Sequence, residues 1–321
     1  EGLTAIYGQT LANVALPSAG NGVWTWADSK ESVGSVGTKY FKAVFTPNDT
    51  TNFNTIENID VAVTVNRADS GEVIFPTAST LTYGSALSES TLSGGSGSGT
   101  FVWSDGSIVP TVMNSGYEVT FTPNNSDSYD YSKLEGYDAQ TGTIKRIVAI
   151  TVLKADPSYT VPQGLTAIYG QTLADIALPS ADNGVWTWAD STSSVGNVGT
   201  NTFKAVFTPS DKNNYNIIEA DVSVIVAPIE AGELVTPTLE KITYNPSTAL
   251  AGIALPEGWI WADTAIVPTV GNAGYTAYYP ITNSDTTDWT DVPGYDAENK
   301  RVERTIALTV NPAAPIVEEL P

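Results

Sequence analysis

The chain has 321 residues, with 35 Asp and Glu against 14 Lys and Arg, a formal net charge of −21, and neither cysteine nor histidine. That charge balance excludes a phosphate-tracking nucleic-acid surface and an anionic membrane as partners. The missing Cys and His exclude disulfides, the usual zinc sites and histidine-based nucleophile triads.

Two-residue alternation predicts strands near 2–7, 10–16, 22–27, 38–46, 52–57 and 59–65, bounded by turn residues. Within this stretch Trp24 and Trp26 are two apart, so they share one face of a strand and are predicted to fill a core. The alternating run Phe41 to Pro47 ends on a proline, which cannot donate to a ladder. Asp49 is then predicted to close an Asx turn, and Phe53 to re-enter the core as a plug. The last strand carries Val61, Val63 and Val65 on one face.

These landmarks return three times. Gly2 to Ala12 recurs as Gly164 to Ala174, an offset of 162 residues, and Gly22 to Asp28 recurs as Gly184 to Asp190. The tryptophan signature appears as Trp24/Trp26, Phe101/Trp103, Trp186/Trp188 and Trp259/Trp261. The turn aspartate with an aromatic four residues on appears as Asp49/Phe53, Asp127/Tyr131, Asp211/Tyr215 and Asp285/Trp289. Repetition on this scale marks a modular array. The boundaries are 1–66 (A1), 67–156 (B1), 157–227 (A2) and 228–311 (B2), with a linker tail at 312–321. The B segments are longer and carry an extra Gly-Tyr-Asp-Ala stretch, Gly136 to Ala139 and Gly294 to Ala297. The expected architecture is all-β: four tandem small Ig-like β-sandwich modules in A-B-A-B order, forming an elongated array. The joints, such as Arg67-Ala68-Asp69 and Lys154-Ala155-Asp156-Pro157, are short enough to make that array semi-rigid. Because the chain opens inside a repeat and its tail reads as another joint, it is expected to be a mature or excised portion of a larger multidomain chain, and monomeric.

Little in the sequence supports catalysis. Acids are abundant, but those that recur sit at predicted turns, and one repeat is too small to build a substrate cleft; the chain is read as a non-enzyme. The run Ser93 to Gly99 lacks the lysine of a phosphate loop and reads as a flexible hairpin tip. No cofactor is implied. Calcium is the one metal worth weighing, with Asp49, Asp127, Asp211 and Asp285 as its candidate ligands in oxygen-rich loops. A Lys42–Asn66 isopeptide crosslink can be nominated, but Ala227 stands at the matching place beside Lys204, which argues against it. Aromatics outside the common pattern, Tyr129, Tyr137, Tyr278, Trp289 and Tyr295, are the candidates for stacking on sugar rings.

The strings Leu-Thr-Ala-Ile-Tyr-Gly-Gln-Thr-Leu, Trp-x-Trp-x-Asp, Val-Gly-x-Val-Gly-Thr and Phe-Thr-Pro-x-Asp-x3-aromatic resemble the tandem MBG (YGX-type) and bacterial Ig-like repeats of Gram-positive secreted and cell-surface proteins. The resemblance spans nearly the whole chain and is loosest in B2, where Asn245 stands at the place of Gly8. It implies an extracellular location, secreted or attached to the cell wall; separately, no apolar run approaches the roughly 18–20 residues needed to span a bilayer, so no membrane insertion is expected. The resemblance also implies a spacer role in an adhesin or carbohydrate-active protein, with a polysaccharide or surface glycoprotein as partner.

Overall fold

The computed structural model describes residues 2–315; the expected tail therefore lies partly outside the described residues, from 316 onward. The chain is all-β, its only helical pieces being four 3-10 turns of three residues among the described residues. It divides into two compact units, Glu1–Pro157 with Asp211–Asn216, and Ser158–Ser210 with Ile217–Pro321.

Each A segment forms one four-stranded sheet. In the first, the order is Leu3–Ile6, Ile56–Asn66, Gly37–Pro47, Gly22–Trp26, and the outermost pair is parallel while the others are antiparallel. Leu165–Ile168, Ile218–Ala227, Gly199–Pro209 and Gly184–Trp188 repeat this order in the other unit. The B segments rearrange the edge. Their last strand breaks, so Leu81–Thr82 pairs in parallel with Val152–Leu153 in a separate two-stranded ladder. The vacated edge of the main sheet is taken by Tyr137–Asp138, from the extra Gly-Tyr-Asp-Ala stretch, antiparallel to Thr143–Val148. Gly136 makes that edge reachable: it has φ +79°, and a Cβ there would lie 2.1 Å from the Lys145 carbonyl oxygen.

Alternation sorts the residues as the sequence predicts. On the first sheet Ala5, Phe41, Ala43, Val63 and Val65 are buried together, with Trp24 and Trp26 half-buried on the same face. Val23, Thr25, Tyr40 and Lys42 stand on the exposed face. Two packed sheets were expected per repeat. Instead, the layer covering the first sheet is the 3-10 turn Leu11–Asn13 with Val14 and Val33. The predicted strand at 10–16 is this turn. Leu11 and Val14 are three apart, a spacing that puts two apolar side chains on one side of a 3-10 turn. The Asn13 side chain holds the turn's start by accepting the Thr10 N–H at 3.1 Å. Likewise 52–57 and 59–65 are one strand, Ile56–Asn66, entered from a loop. Ser93 to Gly99 is not a free tip, since Leu92–Ser93 pairs with Thr77–Ala78 and Ser96 with Ile74.

Candidate functional site

The second tryptophan of every signature has one and the same task. Trp26 Nε1 donates to the Val14 carbonyl at 2.8 Å, Trp103 to Ser90 at 3.3 Å, Trp188 to Ile176 at 3.0 Å and Trp261 to Ile253 at 2.9 Å. Each acceptor is the residue that follows a 3-10 turn, so the indole pins that turn to the sheet. The first aromatic of each signature packs on the central strand: Trp24 on Phe45, Phe101 on Phe121, Trp186 on Phe207 and Trp259 on Tyr279, with ring centroids 4.7–5.8 Å apart. Trp186, Trp259 and Trp261 are buried, and Trp24, Trp26, Trp103 and Trp188 are half-buried. The signature faces inward and is internally bonded.

The turn aspartates split into two kinds. Asp49 Oδ1 accepts the N–H groups of Thr51 and Asn52, and Oδ2 accepts the Asn52 amide at 2.7 Å. Asp211 does the same with Asn213 and Asn214. The side-chain bond from Asn52, and likewise from Asn214, is the main cause holding each carboxyl below its ordinary pKa. Asp127 and Asp285 do not stand at the matching place. The Phe53 N–H bonds the Asp49 carbonyl and Tyr215 that of Asp211, whereas Tyr129 bonds Asn125 and Thr287 bonds Asn283. The structural counterparts of Asp49 are therefore Asn125 and Asn283, and the shared Asp-x3-aromatic spacing hid a two-residue shift. Among the described residues, no group of three or more acidic side chains is placed to hold a metal ion.

The same loops receive the joints. Ala68–Asp69 pairs in parallel with Tyr129–Asp130, Ala155 bridges Tyr215, and Ile229–Glu230 pairs with Thr287–Asp288. In each case the joint residue donates its N–H to the loop: Ala68 to Ser128, Ala155 to Asn214 and Ile229 to Thr286, all at 3.0 Å. Tyr7 meets Tyr129 edge-on at 5.5 Å, and Tyr83 meets Tyr215 edge-on at 5.3 Å. Phe53 departs from the expectation that it plugs a core. It is 64% exposed, while Tyr131, at 4% exposed, is the plug of its own segment.

The five nominated sugar-stacking residues do not converge. Tyr129 and Tyr137 pack on the cluster around Phe121 and Ile144. Trp289 and Tyr295 pack on the one around Val292 and Val302, with Trp289 Nε1 bonded to Asn283 at 3.1 Å. Only Tyr278 lies on the face of its sheet opposite the core, where the Arg301 guanidinium sits 5.0 Å from its ring centroid. The other exposed sheet faces carry cross-strand ion pairs, among them Lys42–Asp60 at 2.8 Å and Lys204–Asp221 at 3.0 Å. Lys42 thus faces a paired carboxylate, while Asn66 lies at the far end of the neighbouring strand, opposite Ile6; the crosslink geometry is not present.

No family model and no curated protein matches the chain. Among solved structures, it is similar to Sidekick-1 immunoglobulin domains 1–5 (12% identity, 97% of this chain and 78% of that one, TM-score 0.24) and to Drosophila N-cadherin EC1-3 (11%, 71% and 98%, 0.24). It is also similar to the sialic acid binding region of a Streptococcus sanguinis SK1 adhesin (12%, 99% and 97%, 0.18). Scores this low leave the functional reading to the chain's own residues. None of its described helices is long and apolar enough to cross a membrane.

Proposed function

We propose that this chain is a non-catalytic extracellular repeat region that serves as a semi-rigid stalk or spacer. In this reading it is four β-modules in A-B-A-B order within a bacterial secreted or cell-surface protein, in keeping with its resemblance to MBG-type repeats. One observation carries the reading: a single ladder recurs wherever a joint meets the loop that follows it, at Ala68, Ala155 and Ile229. The tryptophan signatures serve the interior, and Tyr129 and Tyr215 lie in the loops that receive joints, which is what a spacer requires of them. Small-angle scattering tests the proposal. An extended particle is expected, and a radius of gyration near the roughly 20 Å of a compact domain of this length would overturn it.

A second reading, glycan binding by a B segment, has one observation in its favour. Tyr278 stands over Arg301 on an otherwise uncovered face, beside exposed Ile260. A flat aromatic next to a cation and an apolar neighbour can stack on a sugar ring. Thr120 is the counterpart of Tyr278 in B1, so the surface is not copied. Retardation on starch, mucin or wall-glycan gels that Tyr278→Ala abolishes would favour this reading over the spacer.

A further inference from the structure

The two B segments differ at one place where a ring is missing. We propose that the B2 segment binds an aromatic ammonium group, a phenyl-type ring joined by a short chain to a protonated amine, in a cavity whose counterpart in B1 is filled by the chain's own aromatic. This goes beyond the spacer reading and does not depend on it.

In B1 the stretch after the joint carries the half-buried Phe75. Its ring lies 5.1 Å from the Arg146 guanidinium and meets Phe101 edge-on at 5.3 Å. The ladders fix the matching positions in B2. Ala68 and Ile229 open the joint ladders, and Leu81 and Ile242 open the parallel ladders further on. The spacing between them is the same in both segments, so Thr236 stands at the place of Phe75. Arg146 lies opposite the third residue of Tyr117–Pro123, and Arg304 opposite the third residue of Tyr275–Pro280. The guanidinium is kept and the ring is lost.

A second loss lies beside the first. Leu134 bonds the Tyr131 carbonyl as Val292 bonds that of Trp289, so a leucine packed on the cluster around Phe121 becomes a valine. Leu234 in place of Val73 restores only part of this volume. A cavity of about 450 Å³ remains, lined by Thr236, Arg304, Leu234, Val292 and Pro293. That lies within the range of roughly 300–1,000 Å³ for small-molecule sites. Arg304 is tethered by one bond, from Nη1 to the Glu303 carbonyl at 3.2 Å. Among the described residues it has neither an ion pair nor a ring against it. A guanidinium so placed attracts the face of an aromatic ring, as Arg146 already does.

The acids around the cavity decide the charge of the ligand. Glu230, Glu233, Asp288 and Asp291 line it and are exposed. Asp291 precedes Val292 where Lys133 precedes Leu134, so B2 has exchanged a cation for an anion here. Four carboxylates against one guanidinium repel an anionic ligand and favour a cation beside the ring. Among the described residues no acidic group is placed to hold a metal ion, and the cavity lining has no aromatic side chain on which a sugar could stack. A ring on Arg304 with an ammonium among the carboxylates satisfies both halves of the site.

Phenethylamine supplies the ring and the ammonium alone, and Phe-Gly-Gly amide presents them at the end of a peptide. Ligand-observed NMR titration of the whole chain near neutral pH should show saturable binding of at least one of them, with a Kd on the order of 1 mM. The tighter of the two identifies the source of the natural ligand. Cyclohexylethylamine, with the same charge and no π face, should bind more weakly than phenethylamine. Thr236→Phe supplies the missing ring from the chain itself and should abolish binding without lowering the melting temperature. Asp291→Lys, at an exposed position that carries lysine in B1, should weaken phenethylamine about tenfold and leave neutral phenethyl alcohol unchanged. Absence of binding of both ammonium probes up to about 10 mM would overturn the proposal. So would equal binding of the cyclohexyl analogue, or binding that survives Thr236→Phe, since that would be attraction to the acidic surface at large.

Discussion

Trp188 donates its indole N–H to the carbonyl of Ile176 across 3.0 Å, and the same bond joins Trp26 to Val14 at 2.8 Å in the other unit. Both bonds are partly buried, so removing the donor leaves a carbonyl with little access to water. Trp188→Phe and Trp26→Phe should each cost about 1–3 kcal/mol. Urea unfolding measures the loss. A change within about 0.5 kcal/mol, as at an ordinary surface site, would mean that the indole does not hold the turn.

Nine aspartates, at 49, 105, 130, 138, 175, 190, 211, 288 and 296, are held below the ordinary value of 3.8 by turn hydrogen bonds. A carboxyl depressed in the folded state stabilises it above the unfolded pKa. That stabilisation is lost as the pH falls through the folded value. The melting temperature should therefore stay flat from about pH 5 to 8 in the absence of any histidine, and fall once the pH passes below the carboxylate range. A step near pH 6.5 would contradict this account.

Asp49→Ala and Asp211→Ala remove the acceptor for two turn N–H groups and should lower the melting temperature. Asp127→Ala and Asp285→Ala should leave it unchanged, because their carboxylates hold no turn. Millimolar calcium should not alter that ranking. A calcium-dependent rise in melting temperature that all four substitutions remove would instead show that they act as one set of ligands.

At Gly294 the backbone has φ +77°, and a Cβ would lie 2.3 Å from the Glu303 carbonyl oxygen. Gly271 has φ +74° with open space around it. Gly271→Ala should cost only the left-handed penalty of about 1–2 kcal/mol, and Gly294→Ala distinctly more, because the edge strand Tyr295–Asp296 must also move. Equal losses in parallel urea titrations would remove the close-approach argument.

The sequence made the strand faces readable because residues two apart must share a side, and Trp24, Trp26, Val63 and Val65 do so. The layer over the sheet was not legible. Leu11 and Val14 satisfy a 3-10 turn and a broken alternation equally well; what marks the turn is its backbone bonding, Asn13 N–H to the Thr10 carbonyl and Val14 N–H to that of Leu11. The loop equivalence failed for a similar reason: an aspartate lies four residues before an aromatic in every repeat, but in the B segments it is Asn125 and Asn283 that hold the loop. The role of Phe53 could not be read locally, because its closest relative, Tyr215, differs from it by what covers it rather than by its own neighbours in the chain.

The parallel pairing of Leu3–Ile6 with Ile56–Asn66 has a mechanical consequence. The first and last strands of this segment lie side by side and run the same way, so tension applied at its two ends loads all their hydrogen bonds together, in shear, rather than opening them one after another. The B segments keep only the two-residue pairing of Leu81–Thr82 with Val152–Leu153 in that position. Under force the B segments should yield first, while the A segments still hold.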